Sequence, residues 1–292
     1  MGNMPALSVT VCLMLVLGAC GGGPATAPAR TAAPDVSPAP VPSASGAAAS
    51  HVFVIVMENR SFKEAMAQPY TAQLASTYAV ATDYHAVTHP SLPNYLALTS
   101  GSTWGITDDG YHALPPGGLG AQLTQHGVSW RAYMEGMGSN CLANKDGYAV
   151  KHNPFAYYGG RCPSNVVPIT GLEADLTAGT PGFAWITPDL CHDGHDCSSA
   201  TADDYLKTLV PKILASSAWR QGGTLFVVWD EDDGSPGNQV PCLVISPNLA
   251  AHETGSRHDH YSLLATVEDK FGLPRLGQAA TAAPLNELLA TP

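Results

Sequence analysis

The chain has 292 residues and a formal net charge of −11, with only 13 Lys and Arg residues. The sequence has no cluster of basic side chains to neutralise a phosphate backbone, so its composition argues against a nucleic-acid partner. An anionic small substrate would need a local positive centre, which a bound metal ion supplies naturally. Behind a leader and a spacer, roughly 240 residues remain, enough for one large α/β domain.

The first 50 residues have the character of export and tethering sequence. Residues 7–19 form an apolar run too short to span a bilayer, and it leads into Leu-Gly-Ala-Cys at residues 17–20. This tetrapeptide resembles a bacterial lipobox, which implies lipid attachment at Cys20 and membrane contact only through that anchor. No Lys or Arg precedes the run, and a cleaved signal peptide giving a secreted protein is the alternative. Residues 21–50, almost all Gly, Pro, Ala, Ser and Thr, predict a disordered linker before a folded domain at 51–292.

Short apolar runs rich in β-branched and aromatic residues predict buried strands. They lie at residues 51–57, 128–134, 183–187, 224–229 and 240–246. Apolar residues at helical spacing predict helices at 202–215 and 261–271. Strands that alternate with helices indicate an α/β fold whose mainly parallel sheet is covered on both faces. Functional groups in such folds gather at the carboxyl ends of the strands.

Carboxylates follow two of the predicted strands. Glu58 and Asn59 come directly after the first, where a divalent cation or a helix cap would use them equally well. Four consecutive carboxylates, residues 230–233, come after the fourth. Like charges this close repel one another unless a cation compensates them, so metal binding is favoured over a solvated acidic turn. We assign ligation to Asp230 and Glu231, which lie nearest the strand.

Ser91 stands just before a predicted helix that has Pro93 in its first turn. A hydroxyl at the amino end of a helix lies where backbone N–H groups and the helix dipole favour a phosphate. The alternative is an ordinary N-cap serine, which is the commoner role of a serine at this position. The local sequence alone does not separate the two interpretations.

Ser91, followed by Pro93 and Gly101, resembles the nucleophile segment of the alkaline phosphatase superfamily. The segments at 58–62 and 229–231 resemble more narrowly its phosphoesterase family of bacterial secreted acid phosphatases and phospholipases C. The segments at 190–197 and 260–264 extend the similarity to the acid phosphatase branch, which includes enzymes acting on phosphatidylinositol 3-phosphate. The resemblance implies a three-layer α/β/α sandwich with a mainly parallel central sheet.

The resemblance also implies a metal site. One divalent cation would be held by Glu58, Asn59, Asp230 and Glu231, with the Ser91 hydroxyl as a further ligand. A set rich in oxygen atoms favours Ca²⁺ or Mg²⁺, with Zn²⁺ or a second metal ion as alternatives.

Histidines supply the remaining candidates. We expect His192, His195 and His260 to act in catalysis, as acids or as cationic phosphate ligands at mildly acidic pH. The candidates for substrate binding are Asn59, His89, Asn94, His195 and His260. Nearby acidic residues, Asp189, Asp193 and Asp196, would orient the rings or form a second metal site. For any single histidine, a structural or surface role is the alternative.

Cysteine positions in the folded part predict two disulfides. Proximity in the sequence favours Cys141 with Cys162 and Cys191 with Cys197, and export permits both. Cys242 lies in an apolar run and is expected to be buried and free. The sequence lacks the close Cys-x-x-Cys spacing of a zinc ribbon, so a zinc site built from cysteines is disfavoured.

Taken together, these features predict a monomeric, exported acid phosphatase that hydrolyses phosphate monoesters through a phosphoserine intermediate. Phosphoinositides and other phospholipid headgroups are among the candidate substrates. One alternative is a phosphodiesterase similar to phospholipase C. The other is a tethered cation-binding module that performs no turnover.

Overall fold

The computed structural model describes residues 51–290. The predicted signal peptide, lipid anchor and linker lie outside the described residues. Within 51–290 no helix combines the length and the apolar character needed to cross a membrane.

A single sheet of eight strands forms the centre of the described fold. The strands are β1 (Val52–Met57), β2 (Ala79–His85), β3 (Trp130–Met134), β4 (Val166–Pro168), β5 (Phe183–Thr187), β6 (Thr224–Trp229), β7 (Cys242–Ile245) and β8 (His252–Asp259). Their order across the sheet is β4-β3-β5-β1-β6-β7-β2-β8. Only β7 runs antiparallel to its neighbours, and all other neighbouring pairs are parallel. The predicted α/β fold with a mainly parallel sheet is confirmed.

Helices occupy most of the connections between these strands. They are α1 (Phe62–Met66), α2 (Pro69–Thr77), α3 (Ser91–Ser100), α4 (Gly118–Gln125), α5 (Leu172–Ala178), α6 (Ser199–Leu214), α7 (Ser217–Arg220), α8 (His260–Phe271) and α9 (Asn286–Leu289). Short 3-10 turns lie at Val150–His152, Pro154–Ala156, Ile169–Gly171 and Gly277–Ala280. The two helices predicted from periodicity are confirmed as α6 and α8, each beginning slightly earlier than expected.

Central strands β1 and β6 are buried along their whole length. Their sequences are therefore apolar throughout, because both faces of a parallel sheet pack against other elements. Three strands were not predicted: β2, β4 and β8. Strand β8 has the sequence HETGSRHD at the edge of the sheet and is largely exposed, and β4 has only three residues, so neither shows a hydrophobic pattern.

The register of β1 and β6 places two acidic strand ends side by side. Met57, the last residue of β1, pairs with Trp229, the last residue of β6. The two strands therefore end side by side. The backbone N–H of Asp230 then donates to the Met57 carbonyl at 2.9 Å. Glu58 and Asp230 are thereby fixed next to each other by backbone hydrogen bonding.

Residues 136–172 form a largely irregular segment that contains short 3-10 turns and the three-residue strand β4. This segment contains the Cys141–Cys162 disulfide, and a second disulfide joins Cys191 to Cys197. Both predicted pairs are present, and Cys242 is buried and free as predicted.

Candidate active site

Ser91 is the first residue of α3, and Pro90 occupies the N-cap position. The serine is buried, with 1% of its surface exposed. Its Oγ lies 3.0 Å from Glu58 Oε2 and 3.3 Å from Glu231 Oε1, within hydrogen-bonding distance of both. The hydroxyl thus faces a pair of carboxylates and does not cap the helix.

Three carboxylates and one amide surround this hydroxyl. Burial, followed by repulsion from neighbouring carboxylates, raises the pKa values of Glu58 and Asp230 well above their usual range. Burial also raises the pKa of Glu231. Asn59 joins them, because its Nδ2 donates to Glu58 Oε2 at 3.0 Å and its backbone N–H to Asp230 Oδ1 at 3.3 Å. Pairwise contacts therefore link the five predicted metal ligands, and their role in metal binding stays a prediction.

This donor set fits a divalent cation. Asp230 Oδ2 is buried without a hydrogen-bond partner, and buried Glu58 Oε1 lies 3.1 Å from His152 Nε2. Burying a carboxylate without compensation is costly, and a hard cation would compensate both groups. Carboxylate, amide and hydroxyl oxygens are the ligands that Ca²⁺ and Mg²⁺ prefer.

His152 belongs to the same site, although no sequence pattern indicated it. Its Nε2 lies 3.1 Å from Glu58 Oε1 and its Nδ1 lies 3.2 Å from Asp193 Oδ2. The ring stacks on Tyr95 with a centroid distance of 5.2 Å and is almost completely buried. His152 lies in the irregular segment 136–172, where no motif or periodicity marks it.

Lys151 and Asp109 are two further residues that the sequence did not indicate. Lys151 Nζ lies 2.8 Å from Asp109 Oδ2 and 3.1 Å from His195 Nε2. Burial opposes the charge of Lys151, but Asp109 outweighs this effect and the pKa of the lysine is raised. Asp109 Oδ1 also accepts the backbone N–H of Leu92, the residue after the serine, at 3.0 Å. The ammonium group of Lys151 thus places a positive charge beside a strongly acidic site.

His195 lies close to Glu58, the carboxylate that contacts the serine. A ring nitrogen of His195, one of His152 and a carboxylate oxygen of Glu58 all lie within 4.8 Å of one another. On the other side of the ring, Nδ1 lies 2.7 Å from Asp196 Oδ1. Its backbone N–H donates to Asp193 Oδ1 at 2.7 Å. Both aspartates thus help to fix the direction of the ring, as expected for this loop.

His89 and Asn94 flank the serine. His89 Nδ1 lies 2.7 Å from Glu231 Oε2, and 45% of the histidine side chain is exposed. Asn94 Oδ1 accepts the backbone N–H groups of Val87 and Thr88, at 3.0 and 3.1 Å. Asn94 therefore holds the loop that precedes α3, and its predicted substrate contact stays a prediction.

His260 lies behind the carboxylates, in a position that differs from the expected phosphate contact. Its Nε2 lies 2.6 Å from the Asp230 carbonyl and its Nδ1 lies 3.0 Å from the Tyr84 hydroxyl. The ring is completely buried, and burial lowers its pKa to about 4. Both nitrogens are occupied and the ring is neutral at mildly acidic pH, so His260 is placed to position Asp230.

His192 lies in a second cluster, away from the expected contact with the serine. Its Nδ1 is 3.0 Å from Glu135 Oε2 and 3.4 Å from Asp189 Oδ1. The ring stacks on Tyr205 with a centroid distance of 4.3 Å. His192 and His195 were expected at one site because they are close in the sequence. In the structure, the loop at residues 191–197 directs their rings to different partners.

Known proteins are similar to this chain in sequence. The sequence model of the Phosphoesterase family matches residues 64–274. A phosphatidylinositol-3-phosphatase of Mycobacterium tuberculosis is 33% identical over 251 residues, which are 82% of this chain and 82% of the relative. An acid phosphatase of Aspergillus fumigatus is 27% identical across 99% of this chain and 70% of its own length.

Solved structures support the fold. A protein in the alkaline phosphatase superfamily from Vibrio parahaemolyticus has a TM-score of 0.57 at 13% identity, covering 80% of this chain and 70% of its own. A phosphonate monoester hydrolase from Silicibacter pomeroyi has a TM-score of 0.56 at 10% identity, covering 82% and 76%. The predicted fold similar to alkaline phosphatase is confirmed.

Proposed function

Because the chain belongs to the phosphoesterase family and is therefore a hydrolase of phosphate esters, we propose that it is an exported, metal-dependent acid phosphatase that forms a phosphoserine at Ser91. The observation that carries this proposal is the position of the Ser91 hydroxyl. It is buried at the start of α3, within hydrogen-bonding distance of Glu58 and Glu231. A buried serine between two carboxylates suits a nucleophile beside a cation.

We place one divalent cation, Ca²⁺ or Mg²⁺, at the oxygen atoms of Glu58, Asn59, Ser91, Asp230 and Glu231. When bound, it supplies the positive charge that lowers the barrier to attack on a phosphoryl group. The buried, unpartnered Oδ2 of Asp230 supports this assignment.

In the first step, Ser91 Oγ attacks phosphorus and the bond from phosphorus to the ester oxygen breaks. The serine proton passes to Glu231 Oε1, which is 3.3 Å away. His89, 2.7 Å from the other oxygen of Glu231 and 45% exposed, offers this proton a path to solvent. Lys151 lies at the same site and offers an ammonium group to the phosphoryl oxygens.

The alcohol needs a proton as it leaves, and we assign this role to His195. Its Nδ1 is held by Asp196, and its Nε2 lies 3.1 Å from Lys151 Nζ. An ammonium group only donates, so Lys151 must move from Nε2 to the phosphoryl oxygens before Nε2 carries the proton. After the alcohol departs, neutral His195 takes a proton from water as that water attacks the phosphoserine. As the bond from phosphorus to Ser91 Oγ breaks, Glu231 Oε1 returns a proton to Oγ and inorganic phosphate leaves. His195 then again carries the proton that the next alcohol takes.

Names of relatives indicate the substrate class. One relative is named for phosphatidylinositol 3-phosphate hydrolysis and others are named acid phosphatases. We therefore propose phosphate monoesters as substrates, with phosphorylated lipid headgroups among them. The two disulfides agree with export, and we propose a lipid anchor at Cys20, with the folded domain acting as a monomer.

Replacing the serine tests the function. We expect Ser91→Ala to reduce kcat for p-nitrophenyl phosphate at least about 10³-fold, because the nucleophile is lost. Ser216→Ala is the matched control: it removes another helix-start serine, the N-cap of α7. Normal turnover by Ser91→Ala would refute the assignment. Faster release from bis(p-nitrophenyl) phosphate than from the monoester would favour a phosphodiesterase, and no release at any pH would favour a cation-binding module.

A further inference from the structure

A cavity of about 350 Å³ lies beside the proposed active site. One part of its wall is polar and consists of Asp109, Lys151 and His195. Another part carries large side chains, among them Tyr111, Leu142 and Tyr157. Its volume falls near the lower end of the range found for small-molecule sites, about 300 to 1,000 Å³.

The polar wall connects this cavity to Ser91. Asp109 accepts the backbone N–H of Leu92, the next residue after the serine, at 3.0 Å. His195 has a ring nitrogen within 4.8 Å of a carboxylate oxygen of Glu58. Glu58 in turn contacts Ser91 Oγ at 3.0 Å. A phosphate bound to the serine would therefore have this cavity next to it, beyond His195.

The other wall carries large hydrophobic side chains that are exposed. Among residues 51–290, three large hydrophobic side chains are exposed: Trp104, Tyr111 and Leu142. Two of these three line the cavity, with 47% of Tyr111 and 36% of Leu142 exposed. The Tyr111 ring lies 5.1 Å from that of Tyr157 and is tilted by 34°. Apolar surface left in water is a place where an apolar ligand gains free energy on binding.

We propose that this cavity holds the alcohol part of the substrate and selects phosphate monoesters whose alcohol carries a ring. The inference rests on the proposed function, because it assigns the leaving group of that reaction. The ester oxygen lies toward His195, and the ring lies against Tyr111 and Leu142. An aromatic ring or the apolar face of an aliphatic ring meets the same surface, so both kinds of ring alcohol are accepted.

Three esters of primary alcohols test the inference, because their leaving groups are all alkoxides of primary carbon. Benzyl phosphate carries an aromatic ring, cyclohexylmethyl phosphate an aliphatic ring, and ethyl phosphate none. For Tyr111→Ala we expect the ratio of kcat/KM for each ring ester to that for ethyl phosphate to fall about fivefold to tenfold. Tyr111→Phe keeps the ring and loses only the hydroxyl that donates to the Ala156 carbonyl, so the ratio is retained.

Filling the cavity provides an independent variant. We expect Leu142→Trp to lower kcat/KM for both ring esters and to leave ethyl phosphate unchanged. Trp104→Asn is the matched control, since it removes an exposed aromatic ring that does not line the cavity. Asn also tolerates the positive φ of 58° at this position. This control is expected to keep the wild-type ratio.

The outcomes separate the two proposals. If the wild-type enzyme hydrolyses all three esters and neither Tyr111→Ala nor Leu142→Trp changes the ratio, the cavity does not hold the alcohol and this inference is overturned alone. If the ratio falls for benzyl phosphate but not for cyclohexylmethyl phosphate, the site accepts only aromatic rings. The part of the inference that admits aliphatic rings is then overturned. Absence of phosphate release from every ester by the wild-type enzyme overturns the proposed function together with the inference.

Discussion

At the scale of single residues, the site places buried acids around one hydroxyl. Glu58 and Asp230 are completely buried, and Asp230 Oδ2 has no hydrogen-bond partner. Burying a charged carboxylate costs free energy unless a cation or a proton neutralises it. Burial therefore raises the pKa values of both groups. His152 contacts Glu58, and His89 contacts the neighbouring carboxylate of Glu231.

Replacement of His195 tests its role as the acid. We expect His195→Asn to lower kcat for ethyl phosphate about 10² to 10⁴-fold, since an alkoxide needs a proton to leave. The loss for p-nitrophenyl phosphate is expected to be much smaller, because nitrophenolate is a stable leaving group. Steady-state kinetics with both esters provide the measurement. Equal losses for the two esters would argue that His195 has only a structural role.

At the scale of elements, strand register and helix starts assemble the site. The paired ends of β1 and β6 bring Glu58 beside Asp230, and the start of α3 brings Ser91 to both strand ends. Helix α8 begins with a capping box between Asp259 and Ser262, which fixes the backbone of the helix that carries His260. Rigid elements therefore position the carboxylates and the nucleophile, while loops supply the other groups.

Glu268 in α8 gives a prediction about stability and pH. Its carboxylate is buried and accepts the backbone N–H of Leu276 at 2.9 Å, and burial raises its pKa from 4.5 to about 7. The folded state holds this proton more tightly than the unfolded state, so stability is lost as pH rises from about 4.5 through about 7. The lost free energy of unfolding amounts to at most about 3 kcal/mol.

Urea unfolding at pH 5 and pH 8 checks this prediction. Glu268→Gln keeps an acceptor for Leu276 but does not ionise, so its stability is expected to fall less between the two pH values. All other titrating groups are common to both proteins, and the difference between them isolates Glu268. An identical change in the two proteins would show that Glu268 ionises normally in the folded state.

Sequence patterns predicted the regular elements better than the complete site. The apolar runs before Glu58 and Asp230 identified two central strands and their acidic ends, because wholly buried parallel strands have an unmistakable composition. Lys151 and His152 were missed because they lie in a segment without periodicity, where position depends on tertiary packing. Asp109 was missed for the same reason, since the chain between α3 and α4 is also irregular.

At the scale of the whole molecule, the net charge is −11, the proposed substrate is an anion, and the proposed site is a buried acidic centre. Coulomb repulsion works against both the substrate and the folded carboxylate cluster. A cation relieves both effects at once. Metal loading should therefore stabilise the fold as well as support catalysis.

Thermal unfolding with and without cation tests this consequence. At a cation concentration about 100 times its Kd, we expect about 2.7 kcal/mol of stabilisation, or a rise in Tm of about 5 °C or more over the chelated protein. Asp230→Asn removes one charged ligand at nearly constant size and is expected to lose most of this rise. Equal Tm values for chelated and cation-loaded wild-type protein would contradict a cation at this site.

In the proposed reaction, Ser91 carries the phosphoryl group between the two steps. Enzyme turning over p-nitrophenyl phosphate can be quenched in acid, digested, and examined by mass spectrometry for phosphorylated peptides. We predict phosphate on Ser91, which disappears when the substrate is omitted. Phosphate on a different residue, or turnover with every peptide unmodified, would contradict phosphoryl transfer through Ser91.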